Sequence, residues 1–364
     1  MRVALIHYWL VTWRGGERVL SAIADLFPEA DIFVHVADPE LLRRELPGRN
    51  VFTTFISRLP RARRLYQKYL PLMPLALEQL DLRAYDLVIS SESGPAKGVV
   101  VAPHTHHVCY CHSPMRYVWD MYHEYRAQAG ALTRFAMAPL LHYMRLWDQV
   151  SAQRVDTFIA NSQFVARRIE KFYRRTAEVV YPPVDVEAFD ASRASEDFFL
   201  FVGQLVRYKR PDLVVDAFNA LGYPLVMIGE GEMLSALRKA ARPNVRLLGA
   251  QPFDVVRDHY ARCRALVFAG IEDFGIVPVE AMASGKPVIA FGYGGVRETV
   301  VEGLSGLLFA EQTSSALIDA VRRFEAHAHH FNPLAIRRHA ERFSIQSFRD
   351  RFEACVSDAL LRSG

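Results

Sequence analysis

Along the first half of the chain, short hydrophobic runs typical of strands alternate with segments whose hydrophobic residues recur at helix spacing. The run VALIHYW (3–9) predicts a buried strand, the apolar positions after Gly15-Gly16 recur at helix spacing, and DIFVHVA (31–37) predicts a second strand. Further strands are predicted at 85–91, 106–111 and 156–162, and a helix is predicted over 163–173. This succession of strand, helix and strand is typical of an α/β domain.

The same rhythm restarts after Tyr181. Pro182 and Pro183 cannot donate sheet hydrogen bonds, so they indicate a connection between domains. Strands are then predicted at 198–203, 224–229, 245–249, 265–270 and 287–291, followed by a helical tail from about residue 314. We therefore predict an α/β protein with two Rossmann-like domains, 1–180 and 181–364, facing each other across a cleft, with the option that the terminal helix packs back on the first domain.

Composition narrows the classes of protein that fit this pattern. The chain has 364 residues, of which 51% are hydrophobic and 23% charged, enough for two packed cores. Its net charge of +4 argues against an extended nucleic-acid partner. The four cysteines show no disulfide framework, and no apolar run reaches the roughly 18 to 20 residues of a spanning helix. We expect a cytoplasmic protein whose membrane contacts, if any, are peripheral.

Residues 268–291 carry the most informative pattern. Seven residues separate Glu272 from Glu280. Pro278 precedes a short helical run that Gly285 ends, so Glu272 is predicted in a loop after a strand and Glu280 in the first turn of a helix. Backbone amides and the helix N-terminus between the two glutamates could hold an anion, and the carboxylates could accept hydrogen bonds from sugar hydroxyls. Taken alone, Glu280 would more simply be a helix-start acid favoured by the dipole.

A basic loop follows the strand that ends at Gly203. Arg207, Lys209 and Arg210 precede Pro211, which is predicted to open the next helix, and these cations could neutralise a diphosphate. A solvated basic loop would look the same. Gly229-Glu230-Gly231 ends a neighbouring strand and could line the same site or form a turn.

Several of these segments together resemble the retaining glycosyltransferases of family 4, which have a two-Rossmann B-type fold. The segments are GGERV (15–19), CHSPMRYVWD (111–120), ANSQFVARRI (160–169), YPPVD (181–185), GQLVRYKRPDLVVDAF (203–218), EDFGIVPVEAMASGKPVIA (272–290) and EGLSGLLF (302–309). Within the family, residues 111–120 and the preceding DLVISSESGPAKGV (86–99) resemble mannosyltransferases that use GDP-mannose in bacterial surface polysaccharide synthesis.

The resemblance implies roles for individual residues. It implies retaining sugar transfer without a metal or other cofactor, from a nucleotide-sugar donor, with GDP-mannose favoured, to a carbohydrate or polyprenyl-diphosphate-linked acceptor. The catalytic residues would be His112, Glu272, Lys209 and Arg207, the last replacing a family arginine where this chain has Gln204. The donor-binding residues would be Gly15, Gly16, Gly203, Phe274, Gly275, Ile276 and Glu280. Transfer from a UDP-sugar, or a non-catalytic homologue that only binds a nucleotide sugar, are the alternatives.

Two other kinds of site are suggested by local clusters. Histidines and cysteines crowd residues 104–112, but strand alternation spreads them over both faces and the spacing is not that of a zinc knuckle, so a buried strand ending at His112 is predicted. No Gly-x-Ser-x-Gly motif supports a hydrolase.

Residues 58–76 mix cations with aliphatic and aromatic residues. The cations are Arg58, Arg61, Arg63, Arg64 and Lys68. This mixture predicts either a contact with an anionic membrane surface or lipid-linked acceptor, or a helix that packs its aliphatic side on its own domain.

Overall fold

The computed structural model describes residues 1–128 and 130–363. Within these residues the chain divides into two compact units. Unit 1 comprises residues 1–181 and the chain from Phe348 onward, and unit 2 comprises Pro182–Ser347. Both units are built on a parallel sheet with helices on its faces, which confirms the predicted pair of Rossmann-like α/β domains.

The described part of unit 1 contains a seven-stranded parallel sheet in the order β3-β2-β1-β4-β5-β6-β7. Its strands are β1 Val3–Ile6, β2 Asp31–Val34, β3 Val51–Thr53, β4 Leu87–Glu92, β5 His106–Cys111, β6 Thr157–Ala160 and β7 Glu178–Val179. Its first helices are α1 Gly15–Leu26, α2 Pro39–Glu45, α3 Ala62–Leu65, α4 Met73–Glu78, α5 Tyr122–Gln128, α6 Ala131–Ala152 and α7 Gln163–Tyr173.

The described part of unit 2 contains a six-stranded parallel sheet in the order β10-β9-β8-β11-β12-β13. Its strands are β8 Phe199–Val202, β9 Leu225–Ile228, β10 Val245–Gly249, β11 Leu266–Phe268, β12 Val288–Phe291 and β13 Gly306–Phe309. The later helices are α8 Pro211–Leu221, α9 Leu234–Ala240, α10 Phe253–Arg262, α11 Ile276–Ala283, α12 Val296–Thr299, α13 Ser314–His327, α14 Pro333–Ala340 and α15 Ile345–Ser363.

Strand β1 shows why an unbroken apolar run forms a strand here. All four of its residues are buried. Val3 and Leu5 face one core cluster, whereas Ala4 and Ile6 face another on the opposite side of the sheet. Because helices cover both faces of a parallel sheet, its central strands have no polar side, and the alternation expected of a half-exposed strand is absent.

The last helix contributes to the core of unit 1. Phe348 and Phe352 of α15 are buried, and their rings lie 5.7 and 6.1 Å from the ring of Tyr110 on β5. Burial of two phenylalanines on a central strand fixes this helix to unit 1.

Residues 58–76 do not form the single helix that was one of the two interpretations of this segment. Instead, two 3₁₀ turns, Phe55–Arg58 and Tyr66–Leu72, alternate with the short helices α3 and α4. Prolines explain the breaks, because Pro71 lies inside the second turn and Pro74 is the second residue of α4, in the first turn, where a missing N–H is tolerated.

Candidate active site

Glycines bring two loops of unit 2 into contact at the carboxyl ends of strands β8 and β9. Gly203 and Gly229 follow these strands directly, with φ angles of +151° and +149°. A Cβ on Gly229 would lie only 1.8 Å from the carbonyl oxygen of Gly203. This backbone contact therefore requires glycine at position 229. It also holds Gly203, the first residue of the loop that leads to Lys209, in place.

Lys209 and Glu272 form an ion pair on this edge of the unit 2 sheet. Lys209 Nζ lies 2.8 Å from Glu272 Oε1, and the two side chains are 16% and 24% exposed. Gly203 and Gly270 flank the lysine: a Cβ on Gly203 would lie 3.5 Å from Lys209 Nζ, and one on Gly270 would lie 2.8 Å from Lys209 Cα. The structure thus brings together three predicted site residues, Gly203, Lys209 and Glu272, in one largely buried position.

The loop from Glu272 to Ile276 is fixed by two glycines that the sequence analysis missed. Gly295 N–H donates to the carbonyl oxygen of Glu272 at 2.9 Å. A Cβ on Gly294 would lie 2.6 Å from that oxygen, and one on Gly295 would lie 2.2 Å from the carbonyl oxygen of Asp273. The adjacent glycines after strand β12 were the available signal, because paired glycines often mark a close backbone approach.

The predicted anion-binding amides lie at the start of α11. Gly275 precedes the helix with a φ of +93°, a conformation that favours glycine, and Ile276 is the first helical residue. Phe274 is buried at 3% exposure. Ser284 and Gly285 end the helix as the sequence pattern predicts, with Gly285 at a φ of +70°.

The sequence predicts Glu280 in the first turn of its helix, but the structure places it beyond that turn. It is the fifth residue of α11, because the helix starts at Ile276 rather than at Pro278. The side chain is buried at 7% exposure, and its Oε2 accepts a hydrogen bond from the buried Tyr260 hydroxyl at 2.9 Å. Tyr260 was not predicted; it lies on α10, and nothing in the local sequence of Glu280 indicates it.

Arg207 is placed differently from Lys209 although both belong to the turn Arg207–Lys209. The Arg207 side chain is 74% exposed, and its ion-pair partner is Glu232, at 3.9 Å from its Nε. The structure therefore does not bring Arg207 to the Lys209–Glu272 pair.

His112 and Gly16 come together in unit 1. His112 directly follows strand β5, and its Nε2 is hydrogen-bonded to the Ser91 hydroxyl at 2.8 Å. Gly15 and Gly16 open helix α1. A Cβ on Gly16 would lie 2.4 Å from the Tyr8 hydroxyl, which it would displace, and in ordinary contact with His112 Nε2 at 3.8 Å. Tyr8 and Ser91 are further residues that sequence reasoning did not find.

Two anchors hold the segment that follows His112. Arg168 on α7 is 7% exposed and donates to the Ser113 hydroxyl at 2.7 Å and to Asp120 Oδ1 at 2.6 Å. Trp119 Nε1 donates to Asp148 Oδ2 at 2.7 Å. The segment 112–120 is therefore attached to α7 and α6 in addition to its own turns, in which Val118 and Trp119 N–H donate to the carbonyl oxygen of Met115.

Buried histidines add a pH-sensitive element to unit 1. Burial lowers the pKa of His35 to about 3 and the pKa of His107 to about 4, and it also lowers the pKa of His7 well below its ordinary value. His35 is hydrogen-bonded to Thr54 at 3.1 Å and His107 to Ser90 at 2.9 Å. All three imidazoles are therefore neutral in the folded protein near pH 6.

The stability of unit 1 should fall as the pH drops from 6.5 towards 4. An unfolded histidine takes up a proton near pH 6.5, whereas His107 stays neutral until about pH 4, so the unfolded state binds more protons in this window. His107 alone should remove about 2 kcal/mol of unfolding free energy between pH 7 and pH 5. Urea unfolding followed by tryptophan fluorescence reports on unit 1, because all four tryptophans lie there.

The His107→Asn variant should lose about this much of the pH dependence. The exposed His329→Asn variant is the matched control and should behave as the unaltered protein. An equal pH slope in the His107 variant and the unaltered protein would contradict the assignment.

Neither a metal centre nor a membrane span is found in the described residues. No group of three or more His, Cys, Asp or Glu side chains among them could hold a metal ion. Likewise, none of the helices in this part of the chain is both long and apolar enough to cross a bilayer.

Two family models match the chain one after the other. The model described as Glycosyltransferase Family 4 matches residues 13–188, and the model described as Glycosyl transferases group 1 matches residues 186–337. The two matched ranges overlap at 186–188, shortly after the chain passes from unit 1 to unit 2 at Pro182.

Curated relatives match over part of their length. An uncharacterised glycosyltransferase of Methanocaldococcus jannaschii is 31% identical over 182 residues, which is 49% of this chain and 52% of the relative. A D-inositol 3-phosphate glycosyltransferase of Geodermatophilus obscurus is 31% identical over 247 residues, 58% of this chain and 54% of the relative. The chain thus spans about half the length of the curated relatives it matches.

Solved structures match over nearly the whole chain. Sucrose-phosphate synthase from Thermosynechococcus elongatus has a TM-score of 0.75 at 17% identity and covers 100% of both chains. Anabaena HepE in complex with UDP-glucose has a TM-score of 0.72 at 18% identity and covers 98% of this chain and 100% of HepE. At these identities the likeness shows a shared fold, the B-type fold with two Rossmann-like α/β domains.

Proposed function

We propose that this chain is a glycosyltransferase of the kind described by the family 4 and group 1 models, and that it moves a sugar from a nucleotide diphosphate to a carbohydrate acceptor with retained anomeric configuration. The observation that carries the proposal is the Lys209–Glu272 ion pair at the carboxyl end of the unit 2 sheet, 2.8 Å long and lined by glycine. Ligands of open α/β sheets bind at such strand ends.

Lys209 would act on the leaving diphosphate. In the described structure its ammonium is neutralised by Glu272. A diphosphate that enters beside Gly203 would take over this cation, and the carboxylate of Glu272 would then accept hydrogen bonds from the donor sugar. As the bond between the anomeric carbon and the diphosphate oxygen breaks, the fixed ammonium and the amides of 274–276 would stabilise the charge that develops on the leaving group.

The acceptor would attack from the face that the diphosphate leaves. Its hydroxyl oxygen forms the new bond to the anomeric carbon, and the hydroxyl proton passes to the departing phosphate oxygen, so no covalent enzyme intermediate and no divalent cation is needed in the scheme. His112, fixed by Ser91 in unit 1, would contact the sugar, and Gly15-Gly16 would let a phosphate or the acceptor approach closely. Glu280 would bind the ribose hydroxyls.

The proposed donor is GDP-mannose, because residues 86–99 and 111–120 resemble mannosyltransferases of bacterial surface polysaccharide synthesis. The proposed acceptor is a carbohydrate, carried by a polyprenyl diphosphate at the cytoplasmic face of the cell membrane. A UDP-sugar is the second candidate donor, since Anabaena HepE, whose fold this chain shares, has been solved with UDP and with UDP-glucose.

Thermal unfolding in the presence of candidate donors tests the proposal. A ligand that binds only the folded state at a concentration 100 times its Kd adds about 2.7 kcal/mol of stability. GDP-mannose and GDP should raise the melting temperature, while free mannose, the matched control, should not. If only UDP-glucose and UDP raise the melting temperature, the donor is a UDP-sugar and not GDP-mannose. If the melting temperature stays the same with every GDP-, UDP- and ADP-sugar, nucleotide-sugar binding is contradicted.

Donor hydrolysis separates an enzyme from a homologue that only binds. Slow release of free sugar and nucleoside diphosphate without acceptor is expected, because water can replace the acceptor hydroxyl. Donor binding without either hydrolysis or transfer to a lipid-linked acceptor would favour the non-catalytic alternative.

A further inference from the structure

Helix α6 exposes an apolar stripe along its length. Phe135, Tyr143, Leu146 and Val150 are 82%, 48%, 56% and 60% exposed. Their spacing of three, four or eight residues places them on one side of an α-helix. Pro139, which lies between Phe135 and Tyr143 on the same side of the helix, is also exposed. None of these five side chains carries a charge.

The stripe is separate from the side of α6 that packs on the sheet. Leu141, Met144 and Trp147 point into the core of unit 1 and are 4%, 0% and 9% exposed. The outer stripe is therefore not part of this core. Contiguous exposed apolar surface of this kind marks a site of protein or membrane interaction.

Helix α4, which a hydrogen bond joins to α6, also has exposed apolar side chains. Trp147 Nε1 of α6 donates to Glu78 Oε1 of α4 at 3.0 Å, and Arg154 Nη2 lies 3.1 Å from the same oxygen. One turn before Glu78, Leu75 is 52% exposed, and Leu72 is 39% exposed at the helix start. We call the exposed side chains Leu72, Leu75, Phe135, Tyr143, Leu146 and Val150 the α4–α6 surface.

A group of exposed cations directly precedes this surface in the chain. Arg58, Arg61, Arg64 and Lys68 are all exposed. Their segment is fixed to α4, because the buried Ile56 and Ala62 share a core cluster with Met73 and Ala76 of that helix. Arg63, in the same segment, lies 3.6 Å from Asp38, so one cation of the five is already paired with an acid.

We propose that the α4–α6 surface and these four cations dock the protein on an anionic lipid bilayer, with the apolar side chains in the interface and the cations among the headgroups. Apolar burial and attraction to anionic lipids together are what hold an interfacial helix on a membrane. The proposal rests on the proposed function only in that a polyprenyl-linked acceptor would be presented at this bilayer.

Charge selects a bilayer over a second copy of this chain. An isologous dimer through the α4–α6 surface would use the same patch on both copies. The four cations that flank the patch on one copy would then face an equally basic patch on the other. Anionic headgroups complement these cations, whereas a second copy repels them.

Flotation with vesicles tests the proposal without any sugar donor. The full chain should float with vesicles of phosphatidylcholine and phosphatidylglycerol and should not float with phosphatidylcholine alone. Phe135→Ser with Leu146→Ser and Val150→Ser should weaken binding to the mixed vesicles about tenfold or more, since each buried methylene contributes to partitioning. The matched control changes the exposed Leu334 and Leu361 of other helices to serine and should bind as before.

Replacing the four cations tests whether attraction to anionic headgroups contributes to membrane binding. Each Lys or Arg near an anionic surface contributes up to about fivefold to partitioning, so changing Arg58, Arg61, Arg64 and Lys68 together to glutamine should lower binding by up to several hundredfold (about 600). It should also flatten the dependence of binding on salt. The control changes the same number of exposed cations in unit 2, namely Arg238, Lys239, Arg246 and Arg322, and should retain binding.

The outcomes distinguish this proposal from the proposed function. Undiminished vesicle binding in a folded triple-serine variant would overturn the docking surface, and so would a dimer that depends on the stripe in a protein that does not bind vesicles. A Lys209→Ala variant should bind vesicles normally, so loss of sugar transfer with retained vesicle binding would bear on the reaction and leave the docking surface standing.

Discussion

Replacing Lys209 by alanine should lower the turnover number about 10²–10³-fold with a smaller change in KM. The ammonium is fixed 2.8 Å from Glu272 and is only 16% exposed, so water cannot substitute well for it. A preorganised charge that meets the leaving diphosphate gains most of its interaction energy as the negative charge develops, and removal of one such donor typically costs this much. Steady-state kinetics with the identified donor and acceptor would measure the effect.

Glu272→Ala should have an effect of the same order for a different reason. Removal of the carboxylate takes away an acceptor for the donor sugar, and it leaves the Lys209 ammonium without the acid that orients it. Both kcat and the apparent affinity for the donor should therefore decrease. The circular dichroism spectrum and melting temperature of each variant would show whether it is folded.

Lys239→Ala serves as the matched control for both variants, because Lys239 is an exposed lysine of unit 2 on the unrelated helix α9. Near-normal turnover in a folded Lys209→Ala or Glu272→Ala protein would show that the substituted residue is not a catalytic residue. Arg207→Ala addresses a different question: its 74% exposure and its contact with Glu232 predict a much smaller loss than at Lys209.

Local patterns were sufficient to predict much of the fold and part of the site. The buried run at Val3–Ile6, Pro211 at the start of α8 and Gly285 after α11 each reflect a constraint that acts within a few residues. Lys209 and Glu272 were assigned to one site by the family resemblance. The structure supplies the physical reason for their contact, because both follow strands of one parallel sheet and the carboxyl ends of such strands meet at one edge.

The features that escaped prediction depend on partners distant in sequence. Glu280 is tied to Tyr260, which lies on another helix. The outer stripe of α6 was missed for a related reason: apolar residues on two sides of a helix look in sequence like a fully buried helix. Periodicity gives the direction of each side chain relative to its own helix, but it does not give the neighbour that covers it.

A fully buried ion pair in unit 1 is the clearest example of a contact between distant segments. Lys97, in a 3₁₀ turn after β4, pairs with Asp148 of α6, and both side chains are 0% exposed. Asp148 Oδ2 also accepts hydrogen bonds from Trp119 Nε1 at 2.7 Å and from the Tyr173 hydroxyl at 2.9 Å. The pair thus joins the segment after His112 to α6 and α7.

Lys97→Met should destabilise unit 1 by about 3–5 kcal/mol, which is the usual cost of leaving one partner of a buried ion pair uncompensated. Methionine fills similar space, so the loss would come from the Asp148 carboxylate rather than from a cavity. Urea unfolding followed by tryptophan fluorescence measures the effect directly, because Trp119 and Trp147 lie beside the pair and unit 2 contains no tryptophan.

The double variant Lys97→Met with Asp148→Asn separates charge from packing. It removes both charges and keeps a side chain of the same shape at position 148, so it should recover most of the stability that the single variant loses. If the double variant were as unstable as Lys97→Met alone, the loss would arise from packing at Lys97, and the uncompensated charge would not be its cause. Recovery would show that the segment after His112 depends on a neutralised Asp148 for its attachment to α6.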